Sequence, residues 1–429
     1  MKRYKESAIL MIEGIFVGIL AGLTVVLYRF CLTEAETAMF KVWEYIHNNP
    51  LSVILWFLIL IALGCIVGRV LRLEPMASGS GVPHVAGEAK EYLDPCWWRV
   101  IIAKFIGGSL CLFGGLSLGK AGPSVQLGAM AAKGFCRTRK HDRKKEITLL
   151  CCGAGAGLAA IFHAPLAGSL FVLEQIRHTY DRTLLIAGVV SALAADFTSK
   201  LFLGQTTMFS FPTATIPLHL YWLLILLGIL AGLAGAGYNT VMLKAQALFQ
   251  HFKKVPKEIL MSSAFLAVGI FGLTLPQVLG GGQAMISILD EERPALLMLV
   301  LLLAIKFIVS AVSFGCGAPG GIFFPLLTLG AYLGAAFGSL AVICLGLPEE
   351  LWAQFIILGM AGLFVGIIRA PLTGILLLVE MTGSMNHLPD IALVCVTACF
   401  FASLTSSKPI FTSLLERLIK NNESLSEKP

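Results

Sequence analysis

Residues 317–323 read GAPGGIF, a turn of glycine and proline that leads directly into a long apolar segment. The first turn of a helix has backbone N–H groups without intrahelical partners and carries roughly half a positive charge. Glycine lets an ion approach the backbone, and proline fits the first helical turn. A helix that begins here is predicted to bind an anion without a lysine or arginine side chain, weakly enough for the anion to leave again.

Three further segments have the same character. They are GSGVP at 79–83, where Ser80 adds a hydroxyl donor, GKAGP at 119–123, and KPIF at 408–411, which opens the last helix. One such turn is common in proteins, but four of them on apolar helices are a specific combination. Broken backbone at membrane depth is tolerated only where protein buries it or where it lines a cavity. The four segments therefore predict broken helices whose first turns can bind an anion.

The composition supports a membrane protein. Of 429 residues, 57% are hydrophobic and only 13% are charged, whereas soluble domains carry about 25% charged residues. Several apolar runs reach the ~20 residues that a membrane-spanning helix needs, and none alternates as the strands of a β-barrel do. These runs cover residues 7–30, 52–71, 184–203, 218–238, 259–279, 295–313 and 391–404. The sequence thus predicts an all-α protein that crosses the membrane several times.

The positive net charge of +7 does not indicate a nucleic-acid partner, because the basic residues lie at predicted membrane edges. The cluster before the first span predicts a cytoplasmic N-terminus. A second basic run, at 133–145, is interpreted as a solvated loop. The 11 cysteines have no spacing typical of zinc or haem sites. We expect no metal, no cofactor and no enzymatic activity, since no nucleophile–base pair, phosphate loop or metal cluster is recognisable.

The chain repeats itself. Residues 164–168 read APLAG and are followed by Glu174, and residues 370–374 read APLTG and are followed by Glu380. Proline and glutamate are nine positions apart in both copies. We interpret residues 1–419 as one transmembrane domain with two related halves, about 7–205 and 216–418. Residues 420–429 are polar and are expected to be disordered, with no cytoplasmic regulatory domain.

These motifs resemble those of the CLC family of chloride channels and transporters, and the resemblance covers residues 7–419. It implies the CLC fold, with two inverted-repeat halves, and a homodimer in the lipid bilayer with a separate pore in each subunit. It also implies that broken helices meet at a mid-membrane anion site. That site would be built by Ser80 and Gly81, the backbone N–H groups of Ile322 and Phe323, and the aromatic ring of Phe411.

The sequence departs from the family pattern at three positions. Ala121, followed by Gly122 in the gate segment, stands where the family usually carries a glutamate that gates the anion and accepts protons. No acidic residue occurs between Asp94 and Asp142 to replace it. Gln175 occupies the internal proton-site position and does not titrate. Phe411 replaces the usual tyrosine, which removes one hydrogen bond to the anion, a loss of roughly 1.5–3 kcal/mol.

From these departures we predict a passive, proton-uncoupled chloride channel or uniporter in a prokaryotic inner membrane, with bound chloride ions in its pore. A proton-coupled chloride exchanger is the alternative. It would need an unconventional proton route, for example through His178, or a parent protein with another residue at position 121. A membrane protein that binds anions without transporting them is a third interpretation. Because Ser80 matches the family members that prefer chloride, we expect chloride and bromide to be transported. We expect nitrate and thiocyanate to pass as well.

Overall fold

The computed structural model describes residues 2–426 except 50, 206, 210, 212, 213 and 253. The described part contains 17 α-helices. They are α1 Lys2–Asn48, α2 Ser52–Leu73, α3 Val82–Ala89, α4 Trp97–Phe113, α5 Ala121–Thr138, α6 Arg143–Phe162, α7 Pro165–Phe171, α8 Arg182–Leu203, α9 Tyr221–His251, α10 Lys257–Gly272, α11 Gln283–Glu291, α12 Leu296–Gly315, α13 Phe323–Leu345, α14 Leu351–Ile368, α15 Pro371–Thr382, α16 Leu388–Leu404 and α17 Ile410–Ser426. The prediction of an all-α polytopic protein is confirmed.

Nine stretches within the described residues are long and apolar enough to cross a membrane. Each of the seven predicted apolar runs falls on a helix, but the run at 259–279 is interrupted. There α10 ends at Gly272, and a short 3₁₀ turn follows at Pro276–Val278. The interruption has a plain cause, because proline lacks the backbone N–H that a continuing helix needs.

The apolar runs missed several buried helices, of which α6 is the clearest. Most of this helix is buried inside the protein, and its glycines interrupt the apolar pattern. They act as packing positions: a Cβ at Gly157 would overlap the carbonyl oxygen of Ser124 on α5. A Cβ at Gly153 would likewise lie 2.6 Å from Ala132 Cβ. Small residues let membrane helices approach closely, so these glycines hold α5 and α6 together without ending the helix.

The C-terminal segment is ordered for longer than predicted. Helix α17 continues to Ser426, so the expected disorder is wrong for residues 420–426, and residues 427–429 lie outside the described part. Leu414 and Leu415 are buried, and α17 packs against α3. Once packing has nucleated a helix, each added residue costs little. The anchored first turns therefore allow the polar end to remain helical.

The basic run at 133–145 is only partly a loop. Its first members lie on α5 and its last members on α6. Lys133 is only 2% exposed, and its ammonium contacts Glu88 at 2.5 Å and Asp94 at 2.6 Å. The interpretation as a solvated loop is thus wrong for Lys133, because a buried cation needs paired carboxylates.

Candidate anion-binding site

Three of the four glycine- and proline-rich segments are joined by backbone hydrogen bonds. Gly119 and Gly321 each donate to the other's carbonyl, with N···O distances of 2.6 and 2.9 Å. Gly79 donates its N–H to the carbonyl of Gly317 at 3.2 Å. These bonds bring together segments that are far apart in the sequence. The helices that follow them, α3, α5 and α13, therefore begin close to one another.

Ser80 lies in this junction with a hydroxyl that is available to a ligand. Its side chain is almost fully buried, and its Oγ has no hydrogen-bond partner among the described residues. The next residue, Gly81, has a φ of +89°, and a Cβ there would lie 2.5 Å from Gln126 Oε1. Only glycine fits this left-handed, crowded turn. The turn leads directly from Ser80 into α3, which begins at Val82.

The gate segment touches Ser80 directly. A Cβ at Gly122 would overlap Ser80 Oγ, and it would lie 2.8 Å from Ser80 O and 3.1 Å from Gly321 Cα. Its neighbour Ala121 begins α5 and is fully buried. The gate position and the serine hydroxyl therefore belong to one continuous site.

Aromatic rings close the other side of the junction. The rings of Phe323 and Phe411 lie 5.7 Å apart, and Phe171 contacts both, at 5.6 and 6.4 Å. Ile322 and Phe323 are buried at the start of α13. The structure thus places Phe323 and Phe411 in one cluster. Contact of this cluster with an anion, and the weaker binding expected from the missing hydroxyl of Phe411, remain predictions.

Sequence analysis missed a buried cation beside this junction. Lys104 on α4 is fully buried, and its ammonium donates to the carbonyl of Gly79 at 2.6 Å. No carboxylate pairs with Lys104 among the described residues. An ammonium without a counter-ion favours a nearby anion far more strongly in a low-dielectric interior than in water. The sequence contains one indication of this buried cation, which is a lysine within the otherwise apolar run of α4.

A carboxylate also contacts the gate segment, although none lies near it in sequence. Glu36 on α1 is buried, and one of its carboxylate oxygens is 3.2 Å from Lys120 Nζ. Its other oxygen accepts the N–H of Gly281 at 2.9 Å. Glu36 thus reaches the residue directly before Ala121. The structure supplies an acid at the place where the local sequence has none.

The internal proton-site position has no titratable side chain in this protein. Gln175 is buried on a π-helical turn, Val172–Arg177, and its amide nitrogen is 3.5 Å from the carbonyl oxygen of Arg369. Near it, His178 lies beyond the end of this turn. Partial desolvation, followed by the positive charge of Lys90, lowers the pKa of the His178 imidazole below its usual value. His178 is therefore mainly neutral at neutral pH.

The repeated proline–glutamate spacing has a structural cause. Glu174 accepts the backbone N–H groups of Leu372 and Thr373 at 3.2 and 2.8 Å, in the first turn of α15. Glu380 accepts those of Leu166 and Ala167 at 3.0 and 2.9 Å, in the first turn of α7. Each glutamate thus caps the helix of the other repeat. The repeat in the sequence indicated that the two glutamates have equivalent roles, but the partner of each could not be inferred from one copy alone.

Removing this cap should destabilise the protein. Glu380→Ala leaves two N–H groups of α7 without their acceptor, and each unpaired group that is kept from water costs about 1–3 kcal/mol. We expect the free energy of unfolding to fall by about 2 kcal/mol or more, measured by denaturant unfolding in detergent. The control is Glu349→Ala, which removes only an exposed ion pair with Arg293 and should change stability by less than ~0.5 kcal/mol. Equal stability of the two variants would show that the cap contributes nothing.

Adjacent helix starts, a buried hydroxyl without a partner among the described residues and a nearby ammonium lie together inside a multi-pass membrane protein, an arrangement suited to an anion. The pattern of the voltage gated chloride channel family matches residues 63–403. The chain belongs to this family, the CLC family, which confirms the predicted membership. The family is one of transport proteins.

Curated relatives match nearly the whole chain. The H⁺/Cl⁻ exchange transporter ClcA of Vibrio parahaemolyticus is 35% identical over 96% of this chain and 90% of its own length. ClcA of Vibrio vulnificus is 36% identical over 95% of this chain and 89% of its own. The corresponding protein of Citrobacter koseri is 31% identical over 99% and 92%. These bacterial relatives agree with the predicted prokaryotic membrane location.

A solved structure shares the fold closely. It is a slow cyanobacterial Cl⁻/H⁺ antiporter with a TM-score of 0.90 and 26% identity, and the match covers 96% of this chain and 98% of that chain. A CLC-type fluoride/proton antiporter also has the same fold, with a TM-score of 0.76 and 22% identity over 95% of this chain and 98% of that one. The predicted CLC fold is therefore confirmed.

These relatives correct the functional prediction. The sequence favoured a passive, uncoupled chloride channel because Ala121 and Gln175 cannot titrate. The similar proteins are named H⁺/Cl⁻ exchange transporters, so the prediction of an uncoupled channel is wrong. The lack of an acid near position 121 in the sequence did not exclude a carboxylate beside the gate segment, since Glu36 on α1 contacts Lys120.

Proposed function

We propose that this protein exchanges chloride for protons across the membrane. The observation that carries the proposal is the similarity, over nearly the full length, to H⁺/Cl⁻ exchange transporters. The junction of α3, α5 and α13 supports the chloride half of the reaction. There the Ser80 hydroxyl and the first N–H groups of α13, at Ile322 and Phe323, would bind the anion, and Phe411 would narrow its path. No further cofactor is part of the proposal.

The proton half needs a titratable group near the gate, and Glu36 is our candidate. Its carboxylate neutralises Lys120 at 3.2 Å in a buried setting. When Glu36 takes up a proton, Lys120 loses its counter-ion directly before Ala121. The uncompensated ammonium then attracts an anion to the gate segment. Proton binding at Glu36 and anion binding at the gate would thus influence each other, which is what coupled exchange requires.

Flux from liposomes tests the exchange. The purified protein is reconstituted with internal chloride, valinomycin clamps the voltage, and external chloride and pH are recorded together. We expect chloride efflux to drive proton uptake, so that the external solution becomes alkaline, and protein-free liposomes to show neither movement. Chloride efflux without proton movement would refute the proposed exchange.

Glu36→Gln tests the proton route within the same assay. Glutamine keeps the size and can still accept the N–H of Gly281, but it carries no charge and does not titrate. We expect chloride efflux to continue and proton uptake to fall to the level of protein-free liposomes. The matched control is Glu34→Gln, because Glu34 lies on the same helix with an exposed side chain. If Glu36→Gln moves protons as well as the Glu34 control does, Glu36 has only a structural role.

Two further features belong to the proposal. We infer a homodimer in the lipid bilayer with one pathway in each subunit, as the family resemblance implies. Helix-terminus donors discriminate poorly among halides, so bromide should replace chloride in the flux assay. Nitrate and thiocyanate should be transported as well.

A further inference from the structure

A cavity of about 150 Å³ opens next to Ser80. It lies between α3, α9 and α17, and its polar side chains include His84, Gln246 and Arg417. A cavity of this volume holds several water molecules or a hydrated small ion. Because Ser80 lines it, an anion in this cavity would be in reach of the site described above.

His84 is the unexplained side chain of this cavity. It is only 6% exposed, and neither ring nitrogen has a hydrogen-bond partner among the described residues. Ser80 Oγ, in the same cavity, is unpaired as well. A buried polar group without a partner is costly, and such exceptions in native proteins call for an explanation. Two of them facing one cavity point to a ligand that binds there.

The charges around the cavity indicate the sign of that ligand. Lys104 binds the carbonyl of Gly79, a lining residue, and Arg417 lines the opposite side. Arg417 is held in place by the carbonyl of Leu243 at 2.9 Å and by Gln246 Oε1 at 3.2 Å. No carboxylate lines the cavity within the described part of the chain. Histidine often binds metal ions, but a cavity lined by Arg417 and by no acid opposes a metal cation and favours an anion.

We propose that His84 is an anion ligand and donates a ring N–H to a halide held beside Ser80. Burial disfavours a charged imidazole, and the neutral ring offers one N–H donor. A neutral donor strengthens anion binding without the tight hold of a full positive charge, as transport requires. The inference rests on the proposed chloride transport and adds a residue that the sequence pattern did not assign to the site.

Chloride binding by calorimetry, on the purified full-length protein, tests this role. His84→Leu removes the donor, and we expect the chloride dissociation constant to rise by about tenfold, the effect of one hydrogen bond to a charged group. His84→Asn and His84→Gln place an N–H donor near one or the other ring nitrogen, and one of them should restore affinity to within about threefold of wild type. His219→Leu is the control, because His219 is exposed and does not line the cavity.

The possible outcomes distinguish a failure of the role proposed for His84 from a failure of the proposed chloride transport. If wild type and His84→Leu bind chloride equally, the role of His84 is refuted and chloride transport stands. If wild type binds no chloride, the proposed function itself fails. Binding of Zn²⁺ by wild type but not by His84→Leu would identify a cation site and overturn the inference. Should His84→Leu aggregate, His84→Met provides a second variant without a donor.

Discussion

Gly122→Ala is expected to lower chloride efflux by about tenfold to hundredfold. The added methyl group would overlap the hydroxyl of Ser80 and would lie 2.8 Å from Ser80 O and 3.1 Å from Gly321 Cα. Two of these three neighbours are backbone atoms, which cannot move aside as a flexible side chain can. The methyl group must therefore displace the junction or fill the space that an anion needs next to Ser80. The measurement is the initial rate of chloride efflux from liposomes.

Gly237→Ala is the matched control for this prediction. Gly237 lies within α9, and a Cβ there meets nothing within 4 Å. This substitution should leave the efflux rate unchanged, which separates the effect of position from that of a glycine-to-alanine change in a membrane helix. If Gly122→Ala transports chloride as fast as Gly237→Ala, the gate segment does not border the anion pathway.

Ala121→Glu is expected to block chloride efflux near neutral pH and to release it as the pH falls. Ala121 is fully buried next to Gly122, at the start of α5. A carboxylate there would occupy the position of an anion at the helix start. Protonation removes its charge, so efflux should rise by about tenfold or more between pH 7 and the range near 4–5 in which glutamate usually titrates.

Ala121→Gln separates charge from size in this experiment. Glutamine has nearly the same volume as protonated glutamate and no titratable group, so its efflux should match the released rate of Ala121→Glu at every pH. A pH-independent efflux from Ala121→Glu, at the rate of the glutamine variant, would show that the residue does not meet the anion. The comparison uses the same liposomes and the same chloride gradient as the exchange assay.

Local sequence predicted the helix starts well. Segments 79–83, 119–123 and 317–323 all precede helices, because glycine and proline act on the backbone within a few residues of themselves. The same reasoning failed for the glycines of α6, where glycine serves contact between helices. A pattern along one chain cannot distinguish a glycine that ends a helix from one that lets a neighbouring helix approach.

The carboxylate beside the gate segment and the histidine of the cavity could be found only from the fold. Glu36 lies far from Ala121 in sequence, and only the packing of α1 brings its carboxylate to Lys120. The acids that lie near position 121 in the sequence therefore do not indicate the carboxylate that contacts Lys120. The role proposed for His84 could not be predicted from the sequence, because its unpaired ring nitrogens become visible only when every neighbour is placed. In both cases the missing information was a contact over a long sequence separation.

The exchanged caps of α7 and α15 affect how the protein is made. The first turn of α7 obtains its acceptor from Glu380, a residue that is synthesised more than two hundred positions later. Until Glu380 is synthesised, two N–H groups of that turn have no carboxylate acceptor. Glu174 likewise lacks its backbone donors until α15 is synthesised. The N-terminal half therefore leaves the ribosome with an incomplete short helix. Its final structure is acquired only when the second half is in the membrane, which makes the C-terminal half of the chain a partner in folding the N-terminal half.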